Sequence, residues 1–373
     1  ENVQKTLRDS AALRWLALIL LAGAMFCSYI FMDILSPIKD LMWDTKGWDS
    51  TAFGTMQGSE TFLNVFVFFL IFAGIILDKM GVRFTAILSG AVMLVGATIN
   101  WYALTDMFAG SNLEVWFNEH LNYIPGFDEL GVSPFYKGMP ASAKFSAIGF
   151  MIFGCGVEMA GITVSRGIVK WFKGREMALA MGSEMALARL GVATCMIFSP
   201  MFARLGGEVS VSRSVAFGVV LLMIALIMFI VYAFMDKKLD SQTGEAEDKE
   251  DPIKLSDLGK ILTDSGFWLV ALLCVLYYSA IFPFQKYAVN MLQCNLVFHQ
   301  VDPSSIWASN TITIIQYVIM LVVAACAFAS NFSKNKVAKY GLMGVAIVAL
   351  VVFCYMGYMR QSAETVFAVF PLL

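Results

Sequence analysis

The chain has 373 residues, 59% of them hydrophobic and 14% charged, with a formal net charge of -2 and a mean hydropathy of +0.72. Such usage lies outside that of soluble globular domains and marks a membrane protein. Its basic residues flank apolar segments instead of clustering on one face, so no nucleic-acid partner is expected.

Apolar runs of about 18 residues or more, each long enough to cross a ~30 Å hydrocarbon core as a helix, recur along the whole chain. A cleaved signal peptide would leave a soluble remainder, and the alternating pattern of a membrane barrel is absent. The spans read as roughly residues 12–36, 56–77, 83–108, 143–167, 176–203, 213–236, 265–289, 303–330 and 338–358, and a tenth begins near Glu364. A start at Glu1 and a stop within an apolar run at Leu373 read as a chain incomplete at both ends. Of the 26 Lys and Arg, roughly twice as many fall on the N-terminal side of the membrane as on the other, which predicts a cytoplasmic N-terminus.

The turn between spans two and three reads Gly74-Ile-Ile-Leu-Asp78-Lys-Met-Gly81-Val-Arg83-Phe. Gly74 permits close helix approach, and Gly81 permits a tight turn with positive φ. Asp78 can satisfy the open N–H groups that begin span three, and Arg83 can clamp the turn. With Gly74, Asp78, Gly81 and Arg83 at these spacings, in the second inner turn of a chain that carries a linker after six spans, the sequence resembles the major facilitator superfamily. The resemblance implies an all-α polytopic membrane protein of two six-helix bundles that rock around a central site. It implies twelve spans, of which about nine and a half are present, and a cytoplasmic gating role for these four residues. The corresponding turn after span eight, Phe328 to Gly341, lacks the aspartate and the glycine pair.

Beyond span three, Leu113, Trp116, Phe117 and Leu121 recur at helical spacing in the outer segment 106–140, fitting either an interfacial cap or a plain aromatic belt. Glu60 and Lys286, near outer ends of spans, read as touching water. Span four carries a small, polar stripe of Gly154, Cys155, Glu158, Gly161 and Ser165; span five carries Ala178, Gly182, Ala186, Arg189 and Ala193. An unpaired charge at the bilayer centre costs at least ~2.5–3.5 kcal/mol, so Glu158 and Arg189 are expected to face one interior. Either they neutralise each other as a fixed pair, or water reaches them and they hold complementary ends of a substrate.

The stretch Trp171-Phe-Lys-Gly-Arg-Glu176, leading into a span with Arg189 before Leu190-Gly191, resembles the branch of the superfamily that holds lysosomal dipeptide transporters and their bacterial relatives. That branch implies that Glu158 and Arg189 receive a peptide's amino and carboxyl termini. It also implies that Tyr277 to Asn290 is span seven, broken near its outer end by Pro283; a bacterial inner (cell) membrane is expected over a lysosomal membrane. Tyr29 and Asp33 on span one, Tyr277 and Tyr278 on span seven, and Asn310, Thr313 and Gln316 on span eight are further candidates for substrate binding; each serves equally well as glue between helices. A zwitterion such as a dipeptide needs both charges, whereas a simple anion needs Arg189 with Glu158 protonated, which makes proton-coupled anion transport the alternative. A sensor on the same fold is the alternative of another class.

The polar stretch from Met235 to Lys260 reads as a flexible linker, dividing the chain into 1–236, 237–262 and 263–373. Six of the seven cysteines sit in spans without metal-ligand spacing, His120 and His299 are isolated, and no nucleophile elbow or phosphate loop occurs. No metal, cofactor or enzymatic activity is expected. The expected partners are a small-molecule substrate, a coupling proton and the lipid bilayer, with the protein acting as a monomer.

Overall fold

Backbone groups in hydrocarbon have no water to bond, so apolar spans close their hydrogen bonds within helices. A computed structural model of the chain describes residues 7–243, 259, 262–296, 306–333 and 335–359. Among these, regular structure is helical throughout, and eight helices are long and apolar enough to cross a membrane. The tenth span expected near Glu364 and most of the linker lie outside the described residues. The chain forms two units, Glu1–Tyr277 and Tyr278–Leu373.

In the first unit α1 (Ala11–Met32) ends at Asp33 and gives way to a 3-10 turn, Ser36–Ile38, in which Pro37 cannot continue the helix. Short α2 (Lys39–Lys46) closes on Gly47 at φ 67°. Asp49 caps α3 (Ser50–Gly58) by accepting from the Ala52 N–H at 2.6 Å. A second 3-10 turn (Ser59–Thr61), α4 (Phe62–Phe66) and α5 (Phe69–Ala103) follow.

Span two differs in its first part from its sequence reading, whereas the division between spans two and three falls at Gly81, in the expected turn. The chain breaks at Phe68, which holds a left-handed φ of 56°, and α5 then consists of two helices that meet at the non-helical Gly81 (φ 78°, ψ 170°). Only glycine adopts that kink without strain. The irregular segment before Phe68 is tolerated because α7 (Ala141–Phe172) satisfies it. Ser59 Oγ donates to the Ala147 carbonyl at 3.0 Å, and Asn64 Nδ2 donates to the Gly154 carbonyl at 3.2 Å. Gly154 has to lack a side chain, since a Cβ there would collide with the Glu60 carbonyl.

The outer segment does contain a helix, α6 (Asn112–His120), capped by Ser111. Phe117 is buried against Phe108 and Ala141, with Tyr102, Leu121 and Phe145 packed around them, while Leu113 and Trp116 stay exposed. The unit is completed by α8 (Met177–Ala203) and α9 (Val211–Thr243). The latter overruns the expected start of the linker by two turns. Close packing rests on glycines: a Cβ on Gly96 would stand 2.5 Å from the Gly149 carbonyl oxygen, and one on Gly191 would stand 2.6 Å from the Phe26 carbonyl oxygen.

Helix α10 (Ser265–Leu296) passes through Pro283 without the break that the resemblance implies. In the second unit α11 (Asn310–Phe332), capped by Ser309, packs on α12 (Lys336–Met359).

Candidate functional site

Glu158 and Arg189 occupy the middle of α7 and α8, and both are half-buried. Open space lies in front of the Glu158 stripe, because a Cβ on Gly161 would meet nothing within 4 Å. The Arg189 guanidinium sits over the ring of Tyr29, 5.7 Å from its centroid, a cation–π contact that holds it without neutralising it. Among the described residues no ion pair joins Glu158 and Arg189, and neither has a partner of opposite charge within 4 Å. The Glu60 carboxylate acts on Glu158 electrostatically. Glu60 itself is 5% exposed and not water-facing, because its 3-10 turn lies against Gly154, one helical turn from Glu158.

Asp33, at the end of α1, is buried and accepts from Ser36 Oγ at 3.4 Å; Gln57 Nε2 donates to Ser36 Oγ in turn at 3.3 Å. Tyr29, Asp33, Glu158 and Arg189 thus share one unit, and Tyr29 and Arg189 are in direct contact. Tyr277 is exposed. In the other unit Tyr278 stacks on Phe282 (4.9 Å, 15°), Asn310 opens α11 with its side chain exposed, and Gln316 turns toward Gly357 of α12.

At the kinked end of α5 the charges are paired, but not as expected. Asp78 does not cap span three: its carboxylate takes the Arg166 guanidinium of α7 at 2.5 Å. Arg83 reaches across to Asp240 of α9 at 2.7 Å. A Cβ on Gly74 would meet nothing within 4 Å, so no close helix approach depends on it here. The centre of the cluster is Asp236, which is wholly buried and which the sequence reading did not single out. It accepts from Lys170 Nζ at 2.7 Å, Trp171 Nε1 at 3.0 Å and Tyr232 OH at 3.4 Å, and Lys170 also reaches Asp240 at 2.8 Å. The available signal was Asp236 and Asp240, four residues apart and hence on one helical face, facing an excess of cations across the turn.

At the opposite end Tyr136 donates to Asp49 Oδ1 at 3.3 Å. Partial burial, then the Asp49 charge, push its hydroxyl up to about 12. Lys144 is buried and donates to the Phe117 carbonyl at 3.1 Å and Asn122 Oδ1 at 3.2 Å, which ties α6 to α7. Among the described residues no trio of His, Cys, Asp or Glu is placed to hold a metal ion.

The sequence model of the Major Facilitator Superfamily matches residues 21–373. Among curated proteins, the chain is similar to the lysosomal dipeptide transporter MFSD1 of Gallus gallus, 30% identical over 145 residues that make up 37% of this chain and 32% of that protein. It is similar as well to those of Pongo abelii and Homo sapiens, each 24% identical over 280 residues, 73% of this chain and 52% of theirs. The chain spans about half the length, or less, of these relatives.

Proposed function

The chain belongs to the Major Facilitator Superfamily, and we propose that it moves a small zwitterionic solute, dipeptides above all, across the membrane by alternating access. In this reading Glu158 takes the ammonium end of the guest and Arg189 grips its carboxylate with two parallel hydrogen bonds. The observation that carries it is that these two opposite charges, half-buried on consecutive membrane helices, do not neutralise each other. Leaving both uncompensated is costly, and a zwitterion is the simplest molecule that completes both. Tyr29 holds the guanidinium in place meanwhile. The printed name of the relatives, lysosomal dipeptide transporter, supports the same class of guest. The Lys/Arg bias supports placing the Asp78 end in the cytoplasm, and the protein acts as a monomer in this scheme.

Counterflow of labelled dialanine in proteoliposomes tests transport, and a thermal-shift series tests the recognition rule. Dipeptides with both termini free are expected to stabilise the purified protein. Glu158→Gln and Arg189→Ala are expected to lose that shift while unfolding at the parent temperature without ligand. Equal stabilisation by N-acetylated or C-amidated peptides would overturn the reading.

A further inference from the structure

Helix α8 carries a second acid that the zwitterion reading leaves unused. Glu184 is 7% exposed, and among the described residues its carboxylate meets neither a hydrogen-bond donor nor a cation. Its face of α8 holds Ala180, Ala188 and Gly191, all buried, and Gly191 lies directly against the backbone of α1 at Phe26. The adjacent hydroxyl of Ser183 is committed to the Leu179 carbonyl at 2.7 Å.

Apart from the exposed Lys237 and Lys238 near the end of α9, the charged groups on the helices packed against α8 are occupied elsewhere. On α1, Arg14 faces Glu176 and the Arg8 carbonyl, Tyr29 lies under Arg189, and Asp33 is held by Ser36. On α7, Arg166 and Lys170 are taken by Asp78, Asp236 and Asp240, and Glu158 is itself an acid. On α9, Arg213 donates to the Leu205 and Glu208 carbonyls, and Tyr232 donates to Asp236. Arg189, five residues along α8, projects about 140° away around the helix axis.

A carboxylate anion with no partner is expensive in this setting, so the group calls for a positive ligand or a bound proton. A metal cation needs a cage of several oxygens, and the alanines and glycine around Glu184 supply none. A proton needs no cage. We propose that Glu184 is a proton-binding site that links transport to the pH gradient: it is neutral while α1 and α8 are packed as here and releases its proton where water reaches it at another stage of the cycle. Protonation then favours one packing of α1 on α8 and ionisation the other, which is a linkage between proton and conformation. The inference rests on the transport reading but not on the identity of the guest's end groups.

Proteoliposomes of the purified protein test it with labelled dialanine, measuring counterflow without a gradient and net uptake with an inward proton gradient. The wild type is expected to show counterflow and a several-fold rise in net uptake with the gradient. Glu184→Gln keeps counterflow and loses the gradient response; Glu184→Asp, which keeps a titratable group, retains the response. Glu184→Met, matched to the apolar surroundings, serves if the Gln variant does not fold, and loses the response in the same way. Intact counterflow with gradient-insensitive uptake in the wild type overturns the inference, as does an unchanged response in both the Gln and the Met variant. An absence of counterflow in the wild type removes the transport reading, and the inference falls with it.

Discussion

Replacing Asp236 probes the ion cluster at the kinked end of α5, because its side chain is wholly buried and every partner is known. In Asp236→Ala, Lys170 keeps Asp240 at 2.8 Å and Arg83 keeps the same residue at 2.7 Å, so neither cation is left bare. The case of a buried ion stranded outright, which by itself costs ~3–5 kcal/mol, therefore does not arise. What disappears is one charge-assisted hydrogen bond from Lys170, about 1.5–3 kcal/mol, the acceptor for the Trp171 N–H, whose burial without a partner costs about 1–3 kcal/mol, and the longer contacts of Asp236 with Tyr232 OH at 3.4 Å and Arg83 at 3.9 Å. At about 2–4 °C per kcal/mol for a unit of this size, Asp236→Ala should unfold on the order of 10 °C below the parent. Asp236→Asn preserves an acceptor for Trp171 Nε1 and should lose about half as much. Calorimetry of the detergent-purified protein reads both, and Trp171→Phe supplies the cross-check: with no N–H to strand, adding Asp236→Ala to it should cost visibly less than in the parent. A melting temperature for Asp236→Ala within about 2 °C of the parent, or strict additivity with Trp171→Phe, would refute the assignment of Asp236 as the centre of the cluster.

Gly149→Leu should abolish recovery of monodisperse protein, since the α5 backbone stands within 2.6 Å of the new Cβ and cannot yield as a flexible side chain would; normal size-exclusion behaviour would show that the helices can separate. Tyr136 should titrate near 12 by ultraviolet absorbance, against about 10 for a free phenol, and Asp49→Asn should bring it down. A phenol raised in the folded state contributes stability that is fully present below about pH 10 and is lost as pH rises through about 12; a tyrosine titrating as in water would contradict the contact with Asp49. Arg189→Lys should weaken dipeptide binding by roughly tenfold or more, because an ammonium cannot make the bidentate grip, and equal affinity in calorimetric titration would argue that a point charge suffices.

Hydropathy and glycine placement made the helices legible: among the described residues eight helices are long and apolar enough to cross a membrane, and Gly81 supplied the positive φ that its place in the turn requires. The aromatic spacing at Leu113 to Leu121 located α6, and Phe117 is the residue that anchors it. Three features were not legible, for physical reasons. The break at Phe68 has no proline or glycine to announce it, and it persists through hydrogen bonds to α7 from residues some 90 positions away. The extension of α9 to Thr243 is written in charged residues, whose stretch reads as solvated until Arg83 and Lys170, 157 and 66 positions distant, pair with them. Glu60 lies near the end of an apolar run, where an acid normally meets water, yet the missing side chain of Gly154 draws its turn into the protein.

The contrast between the end and the middle of the first unit is what separates support from function. At the kinked end of α5, opposite charges meet at 2.5–2.8 Å with hydrogen-bonding partners around them, the arrangement that makes burial of ions tolerable. Midway along α7 and α8 the same fold, with the same short connections and the means to bring an acid and a base together, leaves Glu158 and Arg189 apart and seats Arg189 over an aromatic ring. Folding stability alone would favour closing that pair or replacing it with apolar side chains. In the proposed reading a ligand that binds both accounts for the two separate charges, and a charge-reversed double variant, Glu158→Arg with Arg189→Glu, discriminates the two explanations. A purely structural pair survives the exchange, whereas a site that reads a dipeptide's termini against a fixed Tyr29 loses binding while the protein still folds.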